Sequence, residues 1–276
     1  MLTVKKPEKI LLGVMLTLLA LAVGGPWLAQ PAHHHDFADQ RVWCSIPFAM
    51  DVFTNLPFAL WGALGLGLCA AMRGHNAGAA RRYPGAQQGL AALFFAGLLL
   101  TAAASSWYHL QPDNAGLVFD RLGMTVAFAG LIGLAAAGRI SARAGLLLAG
   151  TVLLLGPSSI GVWFITGNIF PWAVLQFGGM ALVLWLACLK PPAGAWPIGW
   201  LGVIVIYTAA KLLELGDQQV FELTGHWVSG HSLKHIVASF AALPVVLALR
   251  SLMAGELQLP ALPKLVRRGI QTRAES

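Results

Sequence analysis

Eight long apolar stretches run along the chain, divided by short polar or Pro/Gly-rich breaks. They fall at about 10–29, 46–71, 88–109, 116–138, 144–165, 170–189, 197–215 and 231–250, each near the ~20 residues that carry a helix across a bilayer. The clearest breaks are Arg73 to Pro84, Gln111 to Asn114, Arg139 to Arg143, Lys190 to Pro192 and Gly216 to Gly230. In lipid, only helices and closed barrels satisfy their own backbone groups. These stretches are about twice as long as barrel strands and do not alternate in polarity. The pattern predicts an all-α, polytopic transmembrane bundle with a seven-helix core and one N-terminal hydrophobic helix. It divides into the N-terminal helix at 1–30, an outer loop carrying His and Asp at 31–45, the seven-span domain at 46–252 and a basic tail at 253–276.

Composition supports a lipid solvent. The chain is 57% hydrophobic and 11% charged, whereas soluble domains are about 25% charged. A net charge of +7 would ordinarily suggest a nucleic-acid partner, but the placement of the charges accounts for it. With a cytoplasmic N-terminus, alternating spans put Lys5, Lys6, Lys9, Arg73, Arg81, Arg82, Arg139, Arg143, Lys190, Arg250, Lys264, Arg267, Arg268 and Arg273 inside. Only Arg41, Arg121, Lys211 and Lys234 fall toward the outer side. Such a bias is the usual topology signal of membrane proteins. The expected partners are therefore the bilayer, with anionic cytoplasmic lipid at the tail, and no nucleic acid. Protein partners are not legible. In a bacterial cell the location would be the inner membrane. Lys5, Lys6 and Lys9 ahead of the first apolar stretch resemble the start of a signal peptide, but no clean small-x-small cleavage site follows. An uncleaved anchor is expected. Cys44, Cys69 and Cys188 form no CxxC pair, which argues against a thiolate zinc site or a disulfide framework.

Ionisable residues inside spans are costly, and mark functional sites by default. Here they gather at one predicted depth. Ser105 and His109 close the third stretch, Asp120 opens the fourth, and His231 and His235 open the eighth. Residues four apart share a helix face, so His231 and His235 can grip one ion, as the paired histidines of HExxH do. His109 can add a third nitrogen. Three imidazoles with an open fourth position make a catalytic zinc site. Ser105 lies one turn before His109, on the same face. Asp120 is placed to accept a proton, or to orient a ligand from behind. A single histidine at a helix end is more often just an interfacial polar group; the convergence is what argues for metal.

Ser105-x-x-x-His109, Asp120 eleven residues on, and His231-x-x-x-His235 over seven spans together resemble the CREST superfamily. That superfamily joins alkaline ceramidases, progestin/adipoQ receptors and Per1-type lipid-remodelling proteins. Trp107-Tyr108-His109-Leu110-Gln111-Pro112-Asp113 and Asp120-Arg121-Leu122-Gly123-Met124 look most like prokaryotic alkaline-ceramidase-like proteins. Thr54-Asn55-Leu56-Pro57 is similar to the Ser-Asn of the ceramidase first core span. The resemblance covers about residues 39–250. It implies a zinc-dependent lipid amidase in which His109, His231 and His235 hold zinc. Asp120 would then serve as acid/base, and Ser105 would support the oxyanion. The implied substrate is a ceramide-like or other lipid amide, entering sideways from the bilayer. Phe48 falls where animal ceramidases carry the early Glu of a calcium motif; Asp36, Asp39 and Asp51 remain as oxygen donors but do not reproduce that motif, so calcium is left out of the reading and the sequence does not decide it.

Smaller features receive structural expectations. His33-His34-His35 reads as a solvated loop tract, Lys211 with Glu214 as an intrahelical ion pair, and Asp51 as a partner for a neighbouring helix. Trp107 and Tyr108 are expected in the interfacial aromatic belt. Rival functions are a lipid esterase or phospholipase, a non-catalytic protein of the progestin/adipoQ receptor kind, and a bis-histidine haem protein.

Overall fold

The computed structural model describes residues 5–76 and 85–257. Arg81, Arg82, and the tail basic residues Lys264, Arg267, Arg268 and Arg273 lie outside the described residues. Helices are α1 (Lys6–Gly24), α2 (Ala49–Phe53), α3 (Leu56–Asn76), α4 (Gly85–Leu110), α5 (Asn114–Arg139), α6 (Ala142–Thr166), α7 (Phe170–Ala173), α8 (Gly179–Ala187), α9 (Trp200–Leu215), α10 (Asp217–Leu223), α11 (Gly230–Ser239) and α12 (Leu243–Leu257). A π-helical turn, Val174–Gly178, joins α7 to α8, and a 3-10 turn, Phe240–Ala242, joins α11 to α12. No strand occurs among the described residues. The expected all-α membrane bundle is observed, with seven helices among the described residues long and apolar enough to span a bilayer.

The remaining expected span is shorter than its apolar run. Pro197 and Gly199 keep the start of the 197–215 stretch out of the helix, so α9 has 16 residues, about 24 Å of rise. It still runs the length of the bundle. Just before it, Trp196 N–H donates to Gln87 Oε1 at the start of α4; at its end the Leu213 carbonyl abuts Gly230 at the start of α11. The break at 216–230 also contains α10, a helix that the polar spacing did not suggest.

Helices α4 and α5 form the central pair, flanked by α3 and α6, while α9 packs on α11. Small residues make the central crossing possible. A Cβ at Gly97 would fall 2.2 Å from Ala127 N, and one at Gly130 would fall 2.2 Å from Phe94 N. Backbones that close need glycine at the contact. This crossing brings the end of α4, with Ser105 and His109, beside the start of α5, with Asp120. Helix α1 is peripheral, Leu11 being its one buried residue. It is pinned at both ends: Ser141 Oγ donates to Glu8 Oε1 at 2.7 Å, and Leu28 N–H donates to Asn168 Oδ1 at 3.0 Å.

The two ends of the bundle differ in charge. The end bearing the starts of α1, α4, α6 and α9 carries Lys5, Lys6, Lys9, Arg73, Arg139, Arg143, Lys190 and Arg250 among the described residues. The other carries Arg41, Arg121, Lys211 and Lys234. The candidate chemistry lies at this second end.

Candidate metal centre

Helix α11 begins where two side chains fix its free N–H groups. Ser229 Oγ accepts from Ser232 N at 3.0 Å, and Asp217 Oδ1 accepts from His231 N at 2.7 Å. Ser229 is an ordinary N-cap, and Asp217 does the same work from fourteen residues away. Gly230 lets this turn press against α9, since a Cβ there would lie 2.2 Å from Leu213 O. His231 and His235 then project from one face toward His109 at the end of α4.

All three histidines are buried, and each offers one ring nitrogen such that these atoms lie within 4.8 Å of one another. His109 Nε2 and His231 Nε2 are 3.3 Å apart. That is the edge of a tetrahedron with metal–nitrogen bonds of about 2.0–2.1 Å. The tautomer of His235 follows from its neighbour. Thr54 Oγ1 spends its proton on Met50 O at 2.7 Å, so it accepts from His235 Nδ1 at 3.1 Å. His235 Nε2 is left buried with a free lone pair and no partner. A side-chain partner on the far nitrogen is how ligating histidines are usually oriented. His109 Nδ1, Asp51 Oδ2 and Asn55 Oδ1 are also buried without a hydrogen-bond partner. Buried polar atoms seldom stay unpaired, and their concentration here fits a site that takes a cation. The three nitrogens can hold a metal ion and suit zinc.

Ser105 is buried, and its hydroxyl reaches the carboxylate of Asp120, which is half-buried. The two are thus brought together. The clustered ligand atoms are those of His109, His231 and His235, without the Asp120 carboxylate. Asp51 is fully buried and accepts from Ser232 Oγ of α11 at 2.6 Å, the neighbouring-helix contact expected of it. Lys211 and Glu214 form the expected ion pair.

Three residues that sequence reasoning passed over belong to the site. Phe37 sets its ring 4.7 Å from that of His109 and 4.4 Å from that of His231. Asp217 holds it there, because its Oδ2 accepts from Ala38 N at 2.9 Å while its Oδ1 caps α11. Lys234 places Nζ 3.0 Å from His231 Nε2 and 3.4 Å from Glu214 Oε1. Two lie in polar breaks and the third reads as an interfacial lysine, so no periodicity marks them.

The outer segment 31–45 is more than a solvated tract. His33 is exposed and paired with Asp36, but His35 bonds Tyr108 Oη at 2.8 Å and Asn114 Oδ1 at 2.9 Å. His34 is half-buried, and desolvation, aided by the Arg121 charge, lowers its pKa from 6.5 to about 4. Arg41 grips the buried Asp39 through two nitrogens, which raises the guanidinium pKa further. Tyr108 departs from the belt expectation. Trp107 is 65% exposed, but Tyr108 is 3% exposed, because one residue of helix turns the side chain by about 100° into contact with Phe37 and His35.

No family model matches this chain, and no curated protein matches it significantly.

Proposed function

We propose that this protein is a zinc-dependent intramembrane hydrolase of lipid amides, similar to the alkaline ceramidases of the CREST superfamily. The observation that carries the reading is the meeting of His109, His231 and His235 at one buried point, from helices far apart in sequence. Zinc held there supplies Lewis acidity, which makes water a nucleophile near neutral pH and polarises a carbonyl. Asp120 takes the proton from the attacking water and returns it to the leaving amine. Ser105 hydrogen-bonds the Asp120 carboxylate; once Asp120 holds the water's proton, the hydroxyl is released to donate to the oxygen on which negative charge develops. The charge difference between the two ends supports a site near the non-cytoplasmic face.

Metal analysis joined to a lipid screen tests this. Purified protein should contain about one zinc per chain and release free amine or sphingoid base from an N-acyl lipid. Release of lysolipid instead would assign an esterase or phospholipase. A metal-loaded protein inert toward both amides and esters would sink the hydrolase reading. One observation favours a second reading, a receptor-like protein with a structural metal: the Phe37 ring covers two of the three imidazoles. Replacing Phe37 with Ala separates the two, because an enzyme should gain access to bulky amides and a structural site should only lose metal retention.

A further inference from the structure

The Lys234 ammonium lies at the metal-facing nitrogen of His231, 3.0 Å away. A site built only to hold a cation would exclude a positive charge from that place, since like charges repel. Its companion anion does not account for it. Glu214 is shared: one oxygen pairs with Lys211, and the other is 3.4 Å from Lys234, longer than the 2.7–2.9 Å usual for a charge-assisted bond. Two ammonium groups thus share one carboxylate as ion-pair partner, while Asp51 and Asp120 feel the Lys234 charge from further off. Lys234 side-chain exposure is 18%, so bulk water is a poor counterweight. An ammonium has three donors. Once a metal takes the His231 lone pair, only the long contact to Glu214 remains.

We infer that Lys234 is a carboxylate-binding residue of this site, taking a monoanionic lipid acid against the metal centre. The inference deepens the amidase reading and rests on it. Two sources supply that chemistry: a substrate whose amine half is an amino acid, or the fatty acid that amide hydrolysis releases. Both place one carboxylate within a residue's reach of the scissile carbonyl. A single ammonium with the Glu214, Asp51 and Asp120 carboxylates nearby suits a monoanion better than a phosphate dianion, which those carboxylates would repel more strongly.

Equilibrium binding of myristate, N-myristoylglycine and the neutral tetradecanol to zinc-loaded, full-length protein carrying Asp120→Ala, so that the amide is not consumed, tests it. Lys234→Gln should weaken both carboxylates about tenfold relative to tetradecanol, equivalent to one lost charged contact, with zinc content unchanged. Lys234→Arg should restore most of that ratio. Glu214→Gln, which frees the ammonium from its competitor, should tighten carboxylate binding several-fold. N-Myristoylglycine binding more tightly than myristate would identify the substrate's own acid, and the reverse order the released product. An unchanged ratio in Lys234→Gln, weaker carboxylate binding in Glu214→Gln, or zinc lost with Lys234 would each overturn the inference. If no lipid amide were hydrolysed, the amidase reading would fail while these ratios still decided the role of Lys234.

Discussion

Buried polar side chains are used differently at the two ends of this bundle. At the end away from the histidines they serve the backbone. Gln87 bridges Gly194 O at 3.2 Å and Trp196 N at 3.1 Å, Gln88 donates to Cys69 O at 3.0 Å, and Arg139 donates to Leu189 O at 3.1 Å. The Gln87 and Arg139 bonds tie down the 189–196 segment between α8 and α9, and the Gln88 bond ties α4 to α3. At the histidine end, side chains meet other side chains, and Asp51 Oδ2, Asn55 Oδ1, His109 Nδ1 and His235 Nε2 remain unpartnered. Unpartnered groups occur at both ends, but away from the histidines they are the N–H donors Arg139 Nε and Trp196 Nε1, whereas the histidine end also gathers carboxylate and amide oxygens and ring nitrogens of the kind that take a cation. That distinction separates polar groups that hold a fold from polar groups that act.

The contrast can be broken most severely at Asp120. Its replacement by Ala should lower turnover by about 10²–10⁴-fold, the usual size of a lost proton transfer, with zinc retained. Steady-state kinetics beside metal analysis on the same sample measures both. Next, His109→Ala or His235→Ala should drop zinc from about one per chain to nearly none; equal zinc content in these and in Asp120→Ala would refute the ligand assignment. Thr54→Val removes only the hydroxyl behind His235, and should weaken zinc binding by about 10–100-fold in competition with a chelator. At the opposite end, Gln87→Ala should cost about 1–3 kcal/mol of stability in denaturant or heat and leave zinc affinity where it was. A change in zinc affinity there would erase the distinction between the ends.

The smallest effect is expected from His34. Its folded pKa of about 4 lies below the ordinary 6.5, so the unfolded state binds more protons between these values. Stability contributed by the outer segment is therefore present above pH 6.5 and lost as pH falls toward 4. Hydrogen exchange across residues 31–45 should speed up over that window, and His34→Gln should flatten the response.

What the sequence made legible follows from periodicity and parity. His231 and His235 share a face because they are four apart, and alternate helix directions put His109 at their depth; both rules are local and survive folding unchanged. The helical spans were legible for the same reason, since length and apolarity are local properties. Phe37, Asp217 and Lys234 were not. Their roles depend on which segment folds across which, and a polar break shows nothing of that. Tyr108 was misplaced because adjacency in sequence says little about facing on a helix. The start of α9 was drawn too early because Pro197 and Gly199 are compatible with an apolar run but not with helix.

The clasp made by Phe37 and Asp217 has a kinetic consequence. An ion seated among the three imidazoles lies behind an aromatic ring and a stretch of chain anchored by Asp217 on one side and Arg41 on the other. If that segment has to move for an ion to pass, exchange with free metal should be slower in the unaltered protein than in Asp217→Ala, which releases Ala38 and the first turn of α11 together.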